Sequence, residues 1–229
     1  MKKHILSLAF LGLMGTSQVM AQVKPTSSFI AVACDQPIGQ IYYKIEGKEI
    51  PLKLPAYEPV GPLACDSGGI LNFYKKVNPA IPAPGPGKVV AKVDLPANSA
   101  VNILLFNRVA NGEYAIRLFA CDADSFPLGQ VRFVNLSAKV AAFKVNEQVI
   151  TLQSNETKIV PPNGNLIKYA VAVPAASGWA ESINGFLRVD PKNRITFFIT
   201  DSQSASFKVE AAEGIYLEKT KVNCFQVRH

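Results

Sequence analysis

Histidine is nearly missing from this chain: its 229 residues include only two, His4 and His229, one near each end. That scarcity removes the general base that activates a serine or cysteine nucleophile in most hydrolytic sites. It also removes the commonest nitrogen ligand for zinc, and no Cys-x-x-Cys pair compensates. Lys and Arg form no block dense enough to follow a nucleic-acid backbone. Beyond the first residues, no apolar run approaches the roughly 20 residues of a membrane-spanning helix. The longest, around Ile103–Phe106, has the length of a strand. A convincing helical period is missing too. These absences point to an all-β chain with no transmembrane segment in its mature part. They also point to no nucleic-acid partner, no metal, no cofactor and no catalysis.

The first 21 residues carry a different signature. Lys2 and Lys3 precede an apolar core, Ile5–Met14, and Val19-Met20-Ala21 supplies a small-residue cleavage site. Residues 1–21 therefore read as a cleaved signal peptide, and the expected location is periplasmic or secreted. No cysteine stands at the cleavage site, which argues against a lipid anchor. Removing Lys2 and Lys3 lowers the formal net charge from +7 to about +5. Mild basicity of this kind suits adhesion to an anionic envelope or polysaccharide, or is simply a solvated surface.

The chain repeats itself. Tyr43-Lys44-Ile45-Glu46 through Val60-Gly61-Pro62 recurs one hundred residues later as Phe143-Lys144-Val145-Asn146 through Val160-Pro161-Pro162. Without a gap, the copies share Lys44/Lys144, Ile50/Ile150, Leu52/Leu152, Val60/Val160 and Pro62/Pro162. Two domains follow, at 22–125 and 126–229. Gln40–Glu46 alternates with a period of two, Gly47-Lys48 turns, and Ile50, Leu52 and Leu54 alternate back, a hairpin. Pro55, Pro59 and Pro62 predict an extended loop, and Asn78–Gly87 another. In the second half, Ser206–Ala211 is the expected closing strand, and Gly214–His229 has no counterpart. Short strands between Pro- and Gly-rich turns describe β-sandwiches.

Val131-Arg132-Phe133-Val134-Asn135-Leu136-Ser137, followed by a hairpin and a Pro-ended loop, resembles small immunoglobulin-like domains of exported bacterial proteins. The likeness covers the second half and reaches the first through the repeat. It implies two tandem immunoglobulin-like β-sandwich domains and a role in surface adhesion or assembly.

Candidate sites are few. Asp66-Ser67-Gly68-Gly69 resembles the nucleophile segment of chymotrypsin-type serine proteases, but no upstream histidine remains after cleavage, so it reads as a turn. Asp122-Ala123-Asp124-Ser125 offers too few oxygens for calcium. Asn135-Leu136-Ser137 and Asn155-Glu156-Thr157 match the glycosylation sequon and read as structural. Trp179, the sole tryptophan, is expected in the loop Pro174–Gly185, either as a platform for a sugar or protein or folded back over the sandwich end. Tyr57 would extend such a surface. Four cysteines in an exported chain imply two disulfides with three possible connectivities. Cys34–Cys65 and Cys121–Cys224 are favoured. The expected role is non-catalytic binding of an envelope protein or polysaccharide through loops at one sandwich end. A purely structural component is the alternative, and a hydrolase comes third.

Overall fold

The computed structural model describes residues 26–34, 36–66, 68–76, 87–97, 99–124, 126–161, 164–176, 178–201, 207–210, 216–219 and 222–228. The expected signal segment and nearly all of the Asn78–Gly87 loop lie outside them. The first half forms β1 (Thr26–Ala33), β2 (Ile38–Ile45), β3 (Lys48–Leu54), β4 (Val60–Asp66), β5 (Gly69–Lys75), β6 (Lys88–Leu95), β7 (Val101–Arg108) and β8 (Tyr114–Ala120). The second forms β9 (Val131–Asn135), β10 (Ala141–Val145), β11 (Gln148–Leu152), β12 (Thr157–Val160), β13 (Leu166–Ala175), β14 (Gly178–Arg188), β15 (Ile195–Asp201), β16 (Phe207–Glu210), β17 (Tyr216–Lys219) and β18 (Val222–Arg228).

These strands build β-sandwiches. Sheet β3-β2-β5-β6 packs on β4-β1-β7-β8 across a core that includes Phe29, Tyr43, Phe73 and Phe106. Sheet β11-β10-β13-β14 packs on β12-β9-β15-β18 across Phe133, Phe143, Val171 and Phe197. Strand order in the second pair of sheets is that of the first, with β18 in the place of β8. A bulge even falls at the matching point, between Phe73 and Tyr74 opposite β6 and between Val171 and Ala172 opposite β14. Tyr43 and Phe143 are both core residues; Ile150 is buried and Ile50 half-buried at its core's margin.

A third apolar layer joins the halves. Ile30 and Val32 of β1 and Ile103 and Leu105 of β7 pack with Val134 of β9 and Phe198 of β15. The rings of Phe119 and Phe198 meet edge to face at 5.1 Å. β1, β7, β9 and β15 are thus buried on both faces, which explains the apolar runs Phe29–Ala33 and Ile103–Phe106, whereas β2 and β10 alternate. β1 runs parallel to β7 and β9 parallel to β15, the pairing typical of strands covered on both sides. Arg132 pins this layer. Its guanidinium donates to Ala120 O at 2.9 Å and to Thr196 Oγ1 at 3.1 and 3.2 Å, and lies 4.6 Å from the Phe126 ring centroid. Burial lowers its pKa, opposed by nearby Cys121 and Asp122.

Several expectations are corrected. Pro62 does not end the ladder: β4 is an edge strand paired only with β1, where a missing N–H is tolerated. Gly61 beside it has φ 136°, and a Cβ there would sit 2.7 Å from Phe29 O, so only glycine fits. The first hairpin turns at Glu46-Gly47, both with positive φ, one residue earlier than expected. Ser206–Ala211 is not the closing strand, since β16 pairs with β17, and β18 closes the sheet on β15.

The favoured disulfides are not formed. Cys65 lies opposite Ser27 near the start of β1 and carries a free thiol, while Cys34 follows the strand's far end, some ~20 Å away. Cys121 Sγ lies 3.4 Å from Arg132 Nη2, at the level of Thr196. Cys224 pairs with Ile199, three residues further along β15. The span of β1 between Cys34 and Cys65 exceeds the Cα separation that a disulfide allows.

Candidate functional site

The outward face of β11-β10-β13-β14 carries no covering layer among the described residues. Alternation along the strands builds it in rows. Val149, Lys144, Ala170 and Asn184 stand side by side, and so do Thr151, Ala142, Ala172 and Glu181. Three alanines in the two central strands leave a floor without side-chain bulk.

The bulge on β14 completes this face. Val171 lies opposite Ile183 but Ala172 lies opposite Glu181, so Ser182 is an extra residue. One inserted residue shifts the alternation by one. As a result Trp179 and Glu181 share the outer face with Asn184 and Phe186, while Ile183 and Leu187 turn toward the core. Tyr169 crosses over Gly185, where a Cβ would stand 2.9 Å from its hydroxyl. Trp179 is 55% exposed and Phe186 67%.

Together these residues bound a trough. One reach of about 360 Å³ is lined by Ala142, Thr151, Ala172 and Trp179. The next, about 460 Å³, is lined by Lys168, Asn184 and Phe186. Lys144, Ala170 and Glu181 border both, so the two are continuous. Charge along it is balanced: Lys144 pairs with Glu147 at 3.5 Å, and Glu181 accepts a hydrogen bond from Asn184 Nδ2.

The matching face of the first sandwich is filled. Tyr42 lies opposite Pro51 and Tyr74, as Ala142 lies opposite Thr151 and Ala172. Two tyrosines therefore occupy the places of two alanines. Lys76 Nζ lies 4.5 Å from the Tyr42 ring centroid and 3.4 Å from Glu49, and Gln40 Nε2 donates to the Tyr42 hydroxyl at 2.7 Å. Tyrosine rings thus cover positions that are bare alanine in the second sandwich.

No family model matches the chain, and no curated protein matches it.

Trp179 is thus not in a loop. It lies on β14, opposite Pro174, in a hairpin that was expected to be irregular. Tyr57 is elsewhere: half-buried against the layer joining the sandwiches, φ 63°, its N–H donating to Ala33 O at 2.8 Å. The two do not form one surface. Asp66, Gly68 and Gly69 border a shallow depression of about 190 Å³ with Lys44 and Asn72. Asn135 is buried, its amide donating to the carbonyls of Lys139, Leu152 and Gln153, and Ser137 Oγ donates to its Oδ1 at 2.7 Å. It ties the corner after β9 and offers no acceptor for a glycan. Phe186 and the alanine floor were missed. Tyr42→Ala142 was visible at the shift of one hundred, but the phase change at Ser182 has no mark in the sequence.

Proposed function

We propose that the chain is an exported, non-catalytic tandem of immunoglobulin-like β-sandwiches, at 22–125 and 126–229, periplasmic or secreted, that binds protein or glycan in the cell envelope. One observation carries this reading: at matched positions of two alike sheets, one face is filled by Tyr42 and Tyr74 and the other is opened by Ala142 and Ala172 beside an exposed tryptophan. Leaving Trp179 and Phe186 in water costs apolar burial, roughly 1.5–3 kcal/mol for a large side chain. Exposed apolar area of this size, rimmed by polar residues, marks an interaction surface. The binding face is then a sheet face and not a loop end, because each outer sheet commits only one of its faces to a core.

The test restores the first sandwich's solution in the second. Ala142→Tyr with Ala172→Tyr should leave the fold and melting temperature essentially unchanged while abolishing retention on immobilised envelope protein and polysaccharide fractions. Unchanged retention would refute the reading.

A further inference from the structure

We infer that the trough takes an extended, uncharged oligosaccharide, its sugar rings stacked at one end on Trp179 and at the other on Phe186. This rests on the reading of that face as the binding surface. Its length follows from β14: Trp179 and Phe186 are seven residues apart with one bulge between them, which spaces the rings by ~20 Å. A single sugar cannot touch both; a chain of several can.

Its chemistry follows from what lies between. A sugar ring offers two apolar C–H faces and a rim of hydroxyls that both donate and accept. The trough offers aromatic faces at its ends, a smooth floor of Ala142, Ala170 and Ala172, and donors and acceptors in two adjacent rows. Lys144 donates, Glu181 accepts, and Asn184 does both. Charges of both signs alternate there, so a phosphorylated or carboxylated polymer would meet Glu147 and Glu181 as well as Lys144 and Lys168. An apolar peptide anchor needs a deep pocket, and this floor has none.

Trp179 is the only tryptophan, so fluorescence excited where tyrosine does not absorb reports on this site alone. The intact protein should be titrated with neutral cello- and chito-oligosaccharides from dimer to hexamer. We expect a fluorescence change whose half-saturation falls at least tenfold as the chain becomes long enough to reach both aromatics. Phe186→Ala should remove that length dependence while keeping the Trp179 signal, and Ala172→Tyr should abolish binding at every length. Should no neutral oligosaccharide bind while the double tyrosine variant still abolishes retention on envelope protein, the sugar assignment falls and the binding face stands. Binding of charged oligosaccharides only would overturn it equally. Should the double variant change no retention at all, the face itself is refuted.

Discussion

Trp179 and Tyr57 show how position in the fold separates two aromatic residues that look alike in the sequence. Trp179 is too exposed to be a core plug, so Trp179→Ala should change stability by no more than about 0.5 kcal/mol. The same change should weaken retention on the partner by about 2 kcal/mol or more. Thermal melts beside binding isotherms decide it, and a large drop in melting temperature would contradict the exposure. Cys65 gives a second residue-scale prediction. Burial pushes its thiol from 9.0 up to about 11, reinforced by Asp66 and opposed by a hydrogen bond with Ser27. Burial also raises Tyr43, with Cys65 adding to it. Both groups favour their neutral form in the fold, so this part of the stability is fully present below pH 9 and is lost as pH rises toward about 11. Melting temperatures across that window should fall, and should fall less in Cys65→Ala. An identical slope in the variant would show that Cys65 does not contribute.

At the scale of elements, β14 and β18 carry the most consequence. Deleting Ser182 removes the extra residue and restores unbroken pairing of β13 with β14, so the remaining residues of β14 keep their faces. Trp179 and Phe186 would still share the outer face, and we expect binding to survive. Endpoint affinity of a folded deletion variant tests this, with circular dichroism confirming the β signal. Truncation after Asp201 strips β18 from β15, whose residues Ile195–Thr200 are all buried. Such a chain should lose the cooperative unfolding of its second sandwich.

Much of this architecture was legible. Alternation in β2, β3 and β10 reported one buried face each, and the shift of one hundred placed Tyr43 over Phe143. The unread elements have physical reasons. β4 hides behind Pro62, which an edge strand accommodates. β14 alternates, then slips phase at Ser182, so its pattern resembles a loop. Polar Asn223 and Gln226 dilute the pattern of β18. The cysteines misled because the strand that separates Cys34 from Cys65 was not legible: the two lie toward opposite ends of β1.

For the whole molecule, the layer between the sandwiches sets the behaviour. Ile30, Val32, Ile103, Leu105, Val134 and Phe198 bury the outer faces of two inner sheets against each other. We expect the two sandwiches to unfold as one unit. Phe198→Ala should cost about 3–5 kcal/mol and split a single calorimetric transition into two. Two transitions in the unaltered protein would contradict this coupling. The outer face of β11-β10-β13-β14 is left open at its centre by Ala142, Ala170 and Ala172. The most direct measurement is a backbone amide shift map of the isotopically labelled protein as an envelope extract is added. Shifts confined to Ala142–Lys144, Ala170–Ala172 and Trp179–Phe186 are the expected result. Shifts centred on the Tyr42 and Tyr74 face, or on the loops at the sandwich ends, would contradict it.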